Sequence, residues 1–202
     1  MPAAFSEEDR ERITELLLER GRELFTTRGL GKTSLAELVE PAGMAKTSFY
    51  AFFDSKEALY LELLMRQAPE VTRSFREALA AAGSAREGVE SIIREGVRTA
   101  TGDPLYRRLL SHPEELAAVT RKVGPEEAER SRPYVLEPML EFIRRAQERG
   151  DMTDADPMVI VGAIQAVSYT VVHADELGPN YPQILELLTT SIAKGLTTEE
   201  SR

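Results

Sequence analysis

The chain has 202 residues, with 34 acidic side chains against 25 basic ones and a formal net charge of −9. It has no cysteine, which excludes a disulfide framework and a thiolate metal site, and the negative balance excludes a non-specific nucleic-acid coat. The opening MPAAFSEEDRER is acidic and lacks the basic-then-apolar order of a secretory signal, so a cytoplasmic location is expected.

A chain of this length makes one or two domains and buries roughly 70% of its unfolded surface. The first predicted element starts at Ser6, which with Asp9 resembles a capping box, and Glu7, Glu8 and Asp9 suit the positive end of a helix. Ile13, Leu17, Leu24 and Phe25 give that helix an inward stripe until Gly29 stops it. Gly21 sits in mid-helix, where glycine costs about 1 kcal/mol relative to alanine unless close packing explains it. Ser34 then acts as N-cap with Glu37 three residues on, and Leu35, Leu38, Val39 and Ala42 form an apolar side. Pro41 removes an N–H and crowds the carbonyl of Glu37, so a tightened or bent last turn is expected there. Gly43 supplies the left-handed turn.

A second short helix is expected from Ala45 or Lys46 to Phe52. Its first turn, Lys46-Thr47-Ser48, offers one cation and two hydroxyls with little bulk, groups able to reach phosphates and base edges. Phe49 and Phe53, at i and i+4, face inward, while Tyr50 lies on another face within reach of a phosphate. Asp54 and Ser55 can each cap the helix that opens Lys56-Glu57-Ala58-Leu59. Lys56 puts a cation beside exposed N–H groups, which suits a docked anion better than it suits the helix. Two short helices joined by a glycine turn are the layout of a helix-turn-helix, the motif that places its second helix in the DNA major groove.

The rest reads as helix throughout. One helix runs from Lys56 through Arg66 toward Ala82, with Pro69 expected to kink or break it. Another follows Ser84 to Gly102 through Val89, Ile92, Ile93 and Val97. Two short segments cover residues 104–111 and 113–123. A longer helix covers about residues 133–149, interrupted early by Pro138. Asp156-Pro157 caps a segment in which twelve of the seventeen residues from Met158 to Ala174 are apolar or aromatic. An all-round apolar helix is buried on both sides, one by its own core and one by a partner. At that length, broken by Gly162, Gln165, Ser168 and Thr170, it is short for a membrane span. The last helix, residues 181–196, carries Ile184, Leu187, Leu188, Ile192 and Leu196 in a stripe. No segment alternates with a period of two. The expected fold is all-α, with about nine helices.

Gly29, Thr33-Ser34, Ala42-Gly43, Lys46, Phe49-Tyr50, Phe52-Phe53 and Ser55-Lys56-Glu57-Ala58-Leu59 together resemble the N-terminal signature of the TetR family of transcriptional regulators. The resemblance covers about residues 10–65. It implies a helix-turn-helix DNA-binding domain over residues 1–54 and a helical ligand-binding and dimerisation domain over residues 55–202. It places Ser34, Lys46, Thr47 and Ser48 toward the operator and uses Tyr50 and Lys56 to clamp phosphates. It also implies a homodimer on a near-palindromic double-stranded operator, most often a repressor released by a small-molecule effector, whose identity the sequence does not give. Candidate dimer residues are Ile160, Ile164, Val167 and Val171 with Ile184, Leu188 and Ile192. Candidate pocket residues are Phe75, Tyr106, His112, Tyr134, Phe142, Tyr169 and His173. Two departures stand out: Ala45 replaces the usual serine N-cap, a loss of about 1 kcal/mol, and Thr47 replaces a smaller residue.

Neither a cofactor nor a metal is expected. A metal-dependent helical-bundle enzyme needs Glu-x-x-His patterns, and the residues three before His112 and His173 are Leu109 and Thr170. Nucleophilic chemistry lacks a cysteine and a G-x-S-x-G elbow. The remaining alternative is a helical dimer that has lost DNA binding and meets only proteins.

Overall fold

The computed structural model describes residues 6–123 and 133–198. In chain order the elements are α1 (Glu7–Thr27), α2 (Leu35–Val39) with a 3-10 turn at Glu40–Ala42, a 3-10 helix at Lys46–Ala51, and α3 (Lys56–Ala80). Then come α4 (Ala85–Gly102), α5 (Pro104–Ser111), α6 (Pro113–Val123), α7 (Pro133–Glu148), α8 (Pro157–Tyr169), α9 (Ala174–Leu177) and α10 (Tyr181–Leu196). The fold is all-α. Among the described residues the one β-type contact is an isolated antiparallel pair, Met152 with Thr197.

Two compact units divide the chain. The first takes in α1, α2, the 46–51 helix, α3 as far as Gln67, and α6; the second takes in α3 from Ala68, α4, α5 and α7 to α10. In the first, Ser6 caps α1 by accepting from the Asp9 N–H at 3.1 Å. The stripe Ile13, Leu17, Leu24 and Phe25 is buried together with Leu38, Phe49, Leu59 and Tyr60. The Phe25 and Tyr60 rings lie 5.2 Å apart. Gly21 has its explanation here: a Cβ on it would come within 2.9 Å of Leu59 Cδ2 and 3.3 Å of Phe25 Cε2. The glycine lets α3 lie close against α1.

In the second unit α4 is the hub, packed by α5, α8 and α10, while α7 packs on α8. Val89, Ile92 and Ile93 of α4 meet Ile143 of α7 and Ile160, Ile164 and Val167 of α8 in one buried cluster. Glu95 is a buried carboxylate within this unit, bonded by Arg98, whose guanidinium also donates to Ser74 Oγ. Burial is the largest influence on it and pushes its carboxyl up; Arg98 and the Ser74 hydroxyl together outweigh that and leave it below the usual glutamate range.

Three expectations are corrected. Of the kink or break expected at Pro69 the break is overturned, and Pro138 does not interrupt α7; both prolines lie inside continuous helices. A proline forfeits one hydrogen bond and forces local adjustment, and burial of its neighbours outweighs this: Ala68, Val71 and Phe75 around Pro69, Met139 and Ile143 after Pro138. The apolar run from Met158 stays α-helical only to Tyr169, then tightens to a 3-10 turn at Thr170–His173. The stretch Pro157–Leu196 is apolar enough over 18 residues (mean hydropathy 1.4) to match a membrane span by composition. Its long α-helical pieces have only 13 and 16 residues, on either side of Gly178-Pro179, against about 20 for a span.

Gly21→Ala should destabilise the protein by about 1–3 kcal/mol in urea unfolding, because overpacking against Leu59 exceeds the gain in helix propensity. A stabilised variant would show that α1 and α3 are not held at this distance. Glu95 contributes stability above the normal glutamate range, and that contribution is lost as pH falls through its lowered value. Glu95→Gln should therefore flatten the acid limb of a Tm-against-pH curve while costing stability at neutral pH.

Candidate nucleic-acid interface

The helix-turn-helix is assembled from local bonds. Ser34 and Glu37 form a reciprocal capping box: the Glu37 N–H donates to Ser34 Oγ at 3.3 Å, and the Ser34 N–H donates to Glu37 Oε2 at 3.0 Å. The Ser34 hydroxyl donates to the same carboxylate at 2.7 Å. These bonds, with Arg28 beside it, hold the Glu37 carboxyl below its ordinary range. Pro41 yields the tightened turn expected of it, the 3-10 segment Glu40–Ala42. Gly43 closes the turn at φ +62°, a conformation that a side chain would strain.

The second helix is shorter and tighter than a regular α-helix, six residues of 3-10 at Lys46–Ala51, and Ala45 gives it no side-chain cap. Phe49 is 0% exposed and anchors it, with Phe53 at 5.9 Å between ring centroids. Lys46 and Thr47 are exposed and Ser48 half-buried. Tyr50 is 58% exposed, its ring edge-on to Phe49. In a 3-10 helix residues i and i+3 line up, so Thr47 and Tyr50 form one outward ridge. A cation, a small hydroxyl side chain and a phenol thus stand clear of the protein on an apolar anchor.

Lys56 behaves differently from these. Its ammonium donates to the carbonyls of Leu30 at 2.7 Å and Thr33 at 3.0 Å. It ties the loop before α2 to the start of α3, while Ser55, not Asp54, caps α3 through the Ala58 N–H at 3.1 Å. Two contributors went unnoticed in the sequence. Arg10 of α1 donates to the Ala51 carbonyl at 2.8 Å, its guanidinium 5.3 Å from the Phe52 ring centre. Glu115 of α6 accepts from the Leu30 N–H at 3.0 Å, 85 residues away along the chain. Neither has a spacing signal, since each pairs with backbone and only the fold brings it there.

The sequence profile of bacterial regulatory proteins of the tetR family matches residues 17–63. The chain carries a tetR-family domain. It is 33% identical over 96 residues to YezE, a helix-turn-helix-type transcriptional regulator of Bacillus subtilis (strain 168), covering 48% of this chain and 49% of YezE. It is also 33% identical over 82 residues to the transcriptional repressor KstR2 of Rhodococcus jostii (strain RHA1), covering 41% of this chain and 40% of that one. The match thus spans about half the length of these relatives or less. The fold of a TetR family transcription regulator from Marinobacter aquaeolei VT8 superposes with a TM-score of 0.70 at 15% identity, over 96% of this chain and 100% of that one. The two relatives just described are named as transcriptional regulators.

Beyond the tetR-family domain, the structure sorts the other candidate residues by helix face. Ile160, Ile164, Val167 and Val171 are all buried inside the protomer's own core. They have no surface to offer a partner, and this corrects their assignment to a dimer contact. The outward side of α8 is Val159 (64% exposed), Gly162, Ala166 and Tyr169, with Leu187 (67% exposed) outward on α10. Ile184, Leu188 and Ile192 are half-buried. The described pocket candidates are divided between the two units. Phe75 lies in the core of the second unit, with Tyr106 and Phe142 packed against the same cluster. Burial, aided by Asp103, pushes the Tyr106 phenol up to about 12. Tyr169 and His173 are exposed, and His173 Nδ1 lies 3.2 Å from Glu176. His112 belongs to the first unit, 3.1 Å from Glu114. The Tyr134 side chain lies outside the described residues.

The Lys56 bonds make a distinction that binding alone cannot. Lys56→Met should destabilise the DNA-free protein by about 1–3 kcal/mol and speed amide exchange at residues 33–38. Unchanged exchange would mean that the loop holds itself and that Lys56 serves DNA alone.

Proposed function

We propose that the protein is a homodimeric, sequence-specific DNA-binding transcriptional regulator acting in the cytoplasm, most simply a repressor whose grip a small-molecule effector releases. The observation that carries this is the exposure of Lys46, Thr47 and Tyr50 on a helix anchored by Phe49, inside a tetR-family match. Residues 1–54 would read DNA; residues 55–202 would bind the effector and the second copy. Ser34, Lys46, Thr47 and Ser48 face the operator in this reading, and Tyr50 meets a phosphate. Lys56 acts by holding the loop that positions Ser34.

Dimerisation would use the outward stripe Val159, Gly162, Ala166 and Tyr169 with Leu187 on α10. Val159, Tyr169 and Leu187 are large apolar side chains left in water by the protomer, and two antiparallel helices from each copy give a four-helix contact. A two-fold dimer requires a near-palindromic site. Release would follow from linkage: an effector favouring the arrangement that cannot meet both half-sites weakens binding by its differential affinity. Glu115 is the natural relay, because any shift of α6 pulls on the Leu30 N–H and so on the loop leading to Ser34.

The test is binding to duplex DNA from upstream of the protein's own gene, read by fluorescence anisotropy over a salt series. Lys46→Ala should weaken binding and lower the salt slope by about 1, and Tyr50→Phe should weaken all sequences alike. Unaltered binding in both variants rejects this contact assignment. Val159→Arg with Leu187→Arg should sediment as a folded monomer and lose operator binding. A variant that stays dimeric places the interface elsewhere.

A further inference from the structure

In the second unit, where α3 turns into α4 beside α7, lies an open groove of about 1690 Å³. Its apolar wall is Leu79, Pro138 and Phe142. Phe142 seats against α4 only because residue 88 is glycine, since a Cβ there would come within 2.2 Å of the ring. The charged lining is unevenly committed. All four carboxylates are engaged: Glu87 accepts from the Gly83 N–H at 2.7 Å, Glu90 pairs with Arg94 at 3.0 Å, Asp151 with Arg149 at 2.6 Å, and Glu141 with Arg145. Two arginines remain, Arg76 and Arg86, with no hydrogen bond or ion pair among the described residues.

Arg86 is the more telling of the two. It is half-buried, and it occupies the first turn of α4, where the helix dipole disfavours a cation. A guanidinium that is partly desolvated, set against the dipole and without a partner among the described residues is stabilised by an added anion. Its planar fork suits a carboxylate or a phosphate. The adjoining apolar wall adds a place for hydrocarbon.

We propose that this groove binds a small amphipathic acid, its phosphate or carboxylate held by Arg76 and Arg86 and its hydrocarbon laid on Leu79, Pro138 and Phe142. No residue of the helix-turn-helix takes part, so the proposal stands or falls separately from DNA binding.

The test is calorimetric titration of the full chain, without DNA, with octyl phosphate, inorganic phosphate and octanol. Octyl phosphate should saturate one site per protomer, at least about tenfold more tightly than inorganic phosphate, and octanol should not saturate. Arg76→Gln with Arg86→Gln should weaken octyl phosphate about tenfold or more. The same pair should leave the thermal midpoint unchanged or raised, because a cation leaves the first turn of α4. Phe142→Leu, a milder change should the double variant fold poorly, should bring octyl phosphate toward the affinity of inorganic phosphate. Three results overturn the proposal: equal octyl phosphate affinity in the arginine variant, octanol binding as tightly as octyl phosphate, or no saturable binding. Inorganic phosphate binding as tightly as octyl phosphate would overturn the amphipathic class.

Discussion

Six residues of 3-10 helix do not hold themselves together in water, since even α-helices need about twice that length to approach stability alone. The Lys46–Ala51 helix also lacks a side-chain cap, Ala45 standing where a hydroxyl would bond. Its position therefore depends on tertiary bonds, and the burial of Phe49 is the principal one, worth about 1.5–3 kcal/mol. Phe49 fixes the rotation of the helix. Arg10 then fixes its far end through the Ala51 carbonyl, and α2, set by the Ser34–Glu37 box, fixes its near side. Loss of the Ala45 cap is offset by contacts that no neighbouring residue could supply.

That division also explains what could be read from the chain before folding. Features made by residues within four of one another were legible: the N-cap at Ser6, the capping box at Ser34, the 3-10 turn imposed by Pro41, the left-handed Gly43, and the bounds of α5, α6 and α10. Features made across space were not. Helical periodicity marked the run from Met158 as apolar on every side, but it gave no rule for which side faces the protomer. The structure turns Ile160 and Ile164 inward and Val159 outward, one residue of difference in register. Pro69 and Pro138 misled because proline's local cost is fixed while the burial that outweighs it is tertiary.

Close approach recurs in both units, and glycine permits it each time. Gly21 admits Leu59, Gly88 admits the Phe142 ring, and Gly96 brings Ser168 Oγ to 2.8 Å from where its Cβ would stand. Each glycine weakens its own helix by about 1 kcal/mol, and each lies where a second helix comes against it. In α4 two such positions eight residues apart let different partners, α7 and α8, settle on one central helix. That helix also carries the buried Glu95, whose partner Arg98 donates to Ser74 Oγ on α3, so a polar contact as well as packing ties it to a neighbour.

The charge of the chain bears on how it could grip a polyanion. Of the four cations in residues 28–56, Arg28 is paired with Glu37 and Lys56 is bonded to loop carbonyls, which leaves Lys32 and Lys46 without partners among the described residues. Two free cations on one head release few counterions, and the affinity of a single head is correspondingly low, with only a shallow salt slope. The surrounding net charge of −9 opposes it further. Joining two heads changes this without new contacts, because the second engages at the effective concentration set by the first, a gain on the order of 10²–10⁴. On this reading the apolar stripe on α8 and α10 is as much a part of DNA binding as the helix that meets the groove. An effector then needs only to change the spacing of the heads, not to cover either one.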